Sequence, residues 1–125
     1  MKSLIFSVFI LFGASVSFAQ KNVSAPDFQS YLQKEKSELL VDVRQKWEFE
    51  QGYIEEAKNI DFLSDDFLNA FQDIPKNTPI FVYCASGGRS GEAAQLLHKS
   101  GFLHVYNLTG GIRAWSQQGL GIKKP

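Results

Sequence analysis

The residue best suited to covalent chemistry in this chain is Cys84, its single cysteine. Cys84 follows the apolar run 79–83 and opens the loop 84–90, which reads Cys-Ala-Ser-Gly-Gly-Arg-Ser. The segment 92–99 then has leucines and alanines at helical spacing, so a strand, a loop and a helix are predicted in succession. Backbone N–H groups converge at such a turn, where they can bind an anion and lower the pKa of a thiol. We therefore predict that Cys84 is a nucleophile.

Each of the other loop residues has a predicted role. Gly87 and Gly88 let the chain curl around the Cys84 side chain, because glycine tolerates positive φ. Arg89 has two interpretations of equal weight: it holds an anionic donor, or it braces the loop against an acidic residue. Ser90 is interpreted as a helix cap rather than a catalytic group. The predicted anion-binding loop comprises Ala85, Ser86, Gly87, Gly88 and Arg89.

A structural role is the alternative for Cys84, since a buried cysteine behaves as a small hydrophobic residue. We favour the reactive role because the thiol lies at the mouth of a glycine-containing loop. The chain has no second cysteine, so neither an intramolecular disulfide nor a Cys-x-x-Cys redox pair can form. The two histidines have no metal-binding spacing with Cys84, and we expect neither a metal nor a cofactor.

The elements that position the loop are short and alternate along the chain. The aliphatic run 39–43 lacks a polar-apolar alternation, which is typical of a strand covered on both faces. The alternation of strands and helices predicts an α/β fold with parallel strands and right-handed crossovers. The predicted strands are 39–43, 57–60, 80–83 and 104–108, and the predicted helices are 24–34, 47–51, 65–72, 92–99 and 110–115. The aromatic and aliphatic residues assigned to the core are Phe28, Tyr31, Leu32, Trp47, Phe49, Phe67, Leu68, Phe71 and Trp115.

Three of these positions are expected to meet in space. Asp42, Cys84 and Leu108 all lie at or just beyond the carboxyl ends of predicted strands. Ligands of open parallel sheets gather at that edge of the sheet. We therefore expect the reactive residues to lie close together there.

Three separated motifs resemble those of single-domain rhodaneses, which are sulfurtransferases. The resemblance covers nearly all of the chain after residue 26, and we place a rhodanese-like domain at residues 27–122. It implies an α/β fold with a five-stranded parallel sheet flanked by helices on both faces. The motifs are Leu-Val-Asp-Val-Arg at 40–44 with Trp-Glu-Phe at 47–49 and Gly-Tyr-Ile-Glu-Glu-Ala-Lys-Asn-Ile at 52–60, Tyr-Cys-Ala-Ser-Gly-Gly-Arg-Ser at 83–90, and Leu-Thr-Gly-Gly-Ile-Arg-Ala-Trp at 108–115.

The resemblance also implies the chemistry and the ligands. Cys84 would take a sulfane sulfur from a donor, thiosulfate or a persulfide, and yield it to a thiol or a cyanide-like acceptor. A partner protein is an additional candidate ligand. Asp42 and Arg44 correspond to a pair that supports the active-site loop, and we expect a salt bridge between this pair and Glu48.

The length of the loop separates sulfur chemistry from phosphate chemistry. From Cys84 to Arg89 the loop has the pattern Cys-x4-Arg, as in rhodanese-like sulfurtransferases, whereas the related phosphatases have Cys-x5-Arg. The shorter loop offers fewer N–H donors and less room for a phosphoryl group. A phosphatase or arsenate reductase, and a non-catalytic binding module of the same fold, are the alternatives.

Two positions depart from the family pattern. Many rhodaneses have a lysine or arginine directly after the cysteine, whereas this chain has Ala85 followed by Ser86. The donor is therefore left open between thiosulfate and a persulfide. Tyr53 stands where a histidine is often found. We expect activity to be retained, because a persulfide mechanism needs no general base once the thiol is ionised.

Residues 1–19 have the pattern of a signal peptide, with Lys2 before an apolar stretch and Ser17-Phe18-Ala19 at the end. We predict cleavage after Ala19 and a periplasmic or secreted protein. Stable membrane insertion is not expected, because the apolar stretch is shorter than the roughly 20 residues of a spanning helix. The chain carries 13 basic and 13 acidic residues, so we expect no nucleic-acid binding.

Overall fold

The computed structural model describes residues 20–125, which form a five-stranded parallel sheet with four α-helices and one 3-10 helix. The spatial order of the strands is β1-β5-β4-β2-β3, and all four pairings are parallel. The predicted α/β fold is confirmed. The strands are β1 (Lys21–Val23), β2 (Leu39–Asp42), β3 (Lys58–Asn59), β4 (Ile80–Tyr83) and β5 (Val105–Leu108). The helices are α1 (Ala25–Lys34), α2 (Lys46–Glu50), α3 (Gly88–Lys99) and α4 (Gly111–Gln117), with the 3-10 helix at Phe67–Phe71.

The sheet separates two hydrophobic cores, because successive side chains of a strand point to opposite faces. In β4, Ile80 and Val82 pack with α3 and the 3-10 helix, whereas Phe81 and Tyr83 pack with α1 and α4. All four β4 residues are buried. Helices therefore cover both faces of the sheet, and this explains why the central strands lack a polar-apolar alternation.

Strand β1 lies before residue 27, where the sequence analysis begins the domain. Its residues Lys21–Val23 pair with Tyr106–Leu108 of β5 at the edge of the sheet. The segment Lys-Asn-Val contains a single apolar residue, so no hydrophobic run marks it as a strand. It is held in the sheet by pairing with a distant segment, which local sequence patterns do not report.

The core assignments of Trp47 and Leu68 are wrong, and Phe49 is only partly buried and belongs to neither core. Leu68 is 39% exposed, whereas Phe67 and Phe71 of the same 3-10 helix are buried. Trp47 is 59% exposed, since α2 is a five-residue helix with no buried residue. Trp115 is buried as predicted.

The predicted signal peptide, residues 1–19, lies outside the described residues. Among residues 20–125, no helix is long and apolar enough to cross a bilayer.

Candidate active site

Cys84 lies at the carboxyl edge of the sheet, directly after β4 and between the ends of β2 and β5. The N–H of Val43 donates to the carbonyl oxygen of Tyr83 at 3.0 Å, so the end of β2 is fixed beside the start of the loop. The predicted proximity of the β2, β4 and β5 ends is confirmed. Cys84 is a free cysteine and only 1% exposed.

The loop places hydrogen-bond donors around the sulfur. The N–H of Gly87 donates to Cys84 Sγ at 3.1 Å, and the hydroxyl of Ser90 lies 3.3 Å from the same atom. Gly87 has φ +106°, a conformation that side-chain-bearing residues rarely adopt. Gly88 does not have positive φ, because it is the first residue of α3. The tight curl predicted for both glycines therefore rests on Gly87 alone.

These donors decide the ionisation of Cys84. Burial by itself raises the pKa of the thiol, because a thiolate is poorly solvated inside the protein. Hydrogen bonds from the Ser90 hydroxyl and from the N–H groups of Ser90, Gly87 and Ser86 outweigh burial and lower the pKa below its ordinary value. Lowering of the pKa favours the thiolate, which is the nucleophilic form.

Ser90 is not the helix cap that the sequence suggested. The cap of α3 is Gly87, and Ser90 is the third residue of the helix and is fully buried. Its hydroxyl lies 3.3 Å from both Cys84 Sγ and the carbonyl oxygen of Gly87. The error arose because the helix begins at Gly88, before the leucine-containing segment that marks it in the sequence.

Arg89 pairs with Glu48 through two hydrogen bonds. Arg89 Nη1 donates to Oε1 at 2.7 Å, and Nη2 donates to Oε2 at 2.9 Å. The pairing lowers the pKa of Glu48 and raises that of Arg89. Glu48 is fixed in turn because its Oε1 accepts from the N–H of Gln45 at 3.3 Å in the first turn of α2. Of the two interpretations of Arg89, the geometry supports bracing of the loop against an acidic residue.

Asp42 and Arg44 pair with each other rather than with Glu48, so the predicted salt bridge to Glu48 is wrong. Arg44 Nη2 donates to Asp42 Oδ2 at 2.7 Å and to the carbonyl oxygen of Gly52 at 2.6 Å. Both side chains are buried, at 8% and 0% exposure. Burial lowers the pKa of Arg44, but the hydrogen bond and charge of Asp42 outweigh it and raise the pKa. The pair fixes the Gly52 segment beside the site.

The start of α4 packs directly against the loop, which the sequence analysis did not foresee. Gly111 has φ +62°, and a Cβ at this position would lie 2.5 Å from the carbonyl group of Ala85. The N–H of Ile112 donates to the Cys84 carbonyl at 2.9 Å, and that of Arg113 donates to Ala85 at 3.2 Å. The close approach requires glycine at position 111. The signal for it was the pair Gly110-Gly111 at the start of α4.

Comparison with known proteins agrees with this arrangement. A protein-family profile described as "Rhodanese-like domain" matches residues 24–118. The chain belongs to the rhodanese-like family. The match includes Cys84, the whole loop and α4, so the site lies inside the region that defines the family.

Two related sequences cover most of this rhodanese-like chain. A protein of Bacillus subtilis named "Uncharacterized protein YqhL" is 34% identical over 113 residues, which are 90% of this chain and 88% of that protein. A protein of Allochromatium vinosum named "Sulfurtransferase" is 39% identical over 87 residues, which are 70% of this chain and 79% of that protein.

Solved structures have the same fold. A rhodanese-like domain protein from Staphylococcus aureus is 32% identical with a TM-score of 0.69, and the match covers 83% of this chain and 99% of that one. The polysulfide-sulfur transferase homodimer of Wolinella succinogenes is 25% identical with a TM-score of 0.69, over 85% of this chain and 80% of that one. The rhodanese-like chain is thus a member of a sulfurtransferase-type family.

Proposed function

We propose that this rhodanese-like protein is a sulfurtransferase that carries sulfane sulfur as a persulfide on Cys84. The observation that carries the proposal is the pair of donors on Cys84 Sγ, the Gly87 N–H at 3.1 Å and the Ser90 hydroxyl at 3.3 Å. Both donors stabilise negative charge on sulfur, first in the thiolate and then in the persulfide.

The first half-reaction loads the enzyme. The Cys84 thiolate attacks the sulfane sulfur of a donor R-S-S-H and forms a new S–S bond. The S–S bond of the donor breaks, and its electron pair leaves with the R–S group as a thiolate. The new persulfide loses its proton to solvent, and its terminal sulfur becomes an anion that the N–H groups of the loop can bind.

The second half-reaction unloads the enzyme. A thiolate acceptor attacks the terminal sulfur of the persulfide, a bond forms between the two sulfurs, and the bond to Cys84 breaks. The electron pair of the broken bond returns to Cys84, which is again a thiolate stabilised by Gly87 and Ser90. Neither half-reaction requires a general base, so the absence of a histidine at Tyr53 does not interrupt the mechanism.

A persulfide fits this loop better than thiosulfate as the donor. Thiosulfate is a small dianion that a free cation within the loop itself, next to the sulfur, would attract. The guanidinium of Arg89 is already engaged by both oxygens of Glu48, and the residue after Cys84 is Ala85. We therefore propose an organic persulfide as donor and a thiol as acceptor.

Intact-mass spectrometry tests the proposal directly. Incubation with glutathione persulfide should add about 32 Da to the protein, and cyanide should remove the addition as thiocyanate. The Cys84→Ser variant should gain no mass. Failure of every sulfur donor to load the wild-type protein would overturn the proposal. So would turnover of para-nitrophenyl phosphate that is abolished by Cys84→Ser, because that result indicates a phosphatase.

We further propose that the protein acts after export, in the periplasm or outside the cell. The support is the pattern of residues 1–19, with Lys2, an apolar stretch and Ser17-Phe18-Ala19. N-terminal sequencing of the protein recovered from a periplasmic extract should begin at Gln20. Recovery of the uncleaved chain from the cytoplasm would contradict this proposal and leave the sulfur chemistry unaffected.

A further inference from the structure

A cavity of about 500 Å³ lies beside the catalytic loop and is not used by the transfer steps described above. Its lining includes Ala85, the neighbour of the proposed nucleophile, and the apolar side chains of Ile112 and Ile122. Cavities of this size hold organic ligands, whereas a small inorganic anion would fill only part of it. The cavity therefore suits the organic part of a sulfur compound.

The charges that line the cavity are all positive. Its basic residues are Arg44, Arg113 and Lys124, and no acidic residue lines it. The charge of Arg44 is matched by Asp42. Arg113 and Lys124 take part in none of the ion pairs of residues 20–125, so their charges are uncompensated. An uncompensated cationic pocket attracts an anionic ligand.

The backbone segments that carry both cations are held beside the loop by hydrogen bonds. Arg113 N–H donates to the carbonyl oxygen of Ala85 at 3.2 Å, so the first turn of α4 is tied to the loop. Lys124 follows Lys123, whose N–H and C=O groups both bond to Tyr53 at 2.8 Å. The carboxyl-terminal segment is thereby held against Gly52, and the cavity is lined by one cation from α4 and one from this segment.

We propose that this cavity binds the carboxylate groups of an organic persulfide or thiol while the sulfur of that molecule reaches Cys84. The inference rests on the proposed sulfurtransferase function and adds its substrate class: thiols of peptide size that carry carboxylates. Arg113 and Lys124 are the specificity residues. Because charge-assisted hydrogen bonds to carboxylates are strong, the two cations select charged over neutral thiols.

A kinetic experiment separates this subsite from the sulfur chemistry. The protein is first loaded with inorganic polysulfide, and the loss of sulfur to reduced glutathione or to neutral 2-mercaptoethanol is followed by intact mass. The double variant Arg113→Gln, Lys124→Gln should transfer to glutathione roughly tenfold more slowly, with less than about a twofold change for 2-mercaptoethanol. Lys123→Gln removes a charge next to Lys124 but outside the cavity, and it should match the wild type.

A binding experiment tests the subsite without any reaction. Titration calorimetry with S-methylglutathione uses the Cys84→Ser protein as its reference. Addition of Arg113→Gln and Lys124→Gln to this protein should raise the Kd. Addition of Arg113→Lys instead should retain most of the affinity. If the wild-type protein and the double variant transfer sulfur with the same preference for glutathione over 2-mercaptoethanol, the proposed subsite is wrong, although the sulfurtransferase function still holds. A Cys84 that never loads would instead overturn the proposed function, and the calorimetric result would remain valid for the cavity.

Discussion

The lowered pKa of Cys84 depends on donors that oppose the effect of its own burial. A buried thiol is normally inert, since its charged form is poorly solvated. Here the Ser90 hydroxyl and the N–H groups of Ser90, Gly87 and Ser86 lower the pKa. A side-chain donor and backbone donors can be separated by substitution, because an alanine keeps the N–H and removes only the hydroxyl.

Replacement of Ser90 by alanine should raise the pKa of Cys84, since the side-chain hydrogen bond that lowers it is lost. The thiolate then forms at higher pH. The rate of alkylation by iodoacetamide should therefore be lower at neutral pH, and the pH at which this rate rises should be more alkaline. Ser86→Ala is the matched control, because its N–H is retained, and its profile should follow the wild type. Superimposable profiles for Ser90→Ala and the wild type would show that the hydroxyl has no effect.

The Arg89–Glu48 pair should contribute to stability in a pH-dependent way. The pair is partly buried, at 28% and 13% exposure, so we expect Glu48→Gln to lower the free energy of unfolding by roughly 1 kcal/mol at neutral pH. The pKa of Glu48 is lowered in the folded state, so this stabilisation is complete above its unfolded pKa and is lost as the pH falls through the folded value.

Urea unfolding at neutral pH and at about pH 4 measures this difference, which should shrink in acid. Glu50→Gln is the control, because Glu50 and Lys46 are exposed and 3.9 Å apart. The control should leave the free energy of unfolding nearly unchanged. A Glu48→Gln effect that stays constant with pH would contradict the assignment of the stabilisation to the ionised pair.

At the scale of elements, the site is a junction of three segments rather than a loop alone. The loop after β4 meets α2 through Arg89 and Glu48, and it meets α4 through the N–H groups of Ile112 and Arg113. Because α4 approaches the loop backbone so closely, its first residue must be glycine. The position of the cysteine is thus set by helices that come from both sides of it in the sequence.

Gly111→Ala should therefore disturb the site more than an equivalent change elsewhere. Its Cβ would lie 2.5 Å from the Ala85 and Cys84 carbonyl groups, and φ is +62°. Left-handed strain and overpacking together should cost roughly 2–5 kcal/mol, and sulfur transfer should fall. Gly119→Ala is the control with φ +73° and open space, and only the strain of about 1–2 kcal/mol is expected. Thermal unfolding and persulfide loading measure both effects. Equal losses for the two variants would exclude a special contact at Gly111.

At the scale of the whole molecule, the buried ion pair between Asp42 and Arg44 lies at the carboxyl end of β2. Asp42 ends β2, and Arg44 extends from it to the Gly52 carbonyl, while Asn59 Nδ2 donates to the carbonyl oxygens of both Asp42 and Arg44. The β2 end, the β3 end and the wall of the cavity are therefore connected through one buried network. Removal of one charge leaves the other without compensation.

Asp42→Asn should destabilise the protein by roughly 3 kcal/mol, because it keeps the shape of the side chain and leaves Arg44 as an unpaired buried charge. The double variant Asp42→Leu, Arg44→Met should recover part of this loss, since both charges are removed together. Chemical unfolding of the three proteins measures the difference. A loss below about 1 kcal/mol for Asp42→Asn would mean that water compensates the charge of Arg44.

The sequence by itself indicated the α/β class, the strands β2, β4 and β5, and the cysteine that we propose as the nucleophile. The apolar runs that became β2, β4 and β5 are local patterns, and the cysteine after β4 is marked by the glycines and arginine that follow it. Parallel strands bring their carboxyl ends to one edge, so the proximity of Asp42 and Cys84 followed from the fold class alone. The apolar runs and the loop motif can be read from the sequence because each depends only on residues that are close together in the chain.

Only the tertiary structure decided which groups meet at that edge. Arg89 pairs with Glu48, and Ser90 reaches the sulfur because α3 begins at Gly88. Strand β1 and the cavity cations Arg113 and Lys124 likewise depend on segments that are far apart in the sequence. The physical reason is that a charge or a hydroxyl has many possible partners in the chain, and the packing of distant elements selects one of them.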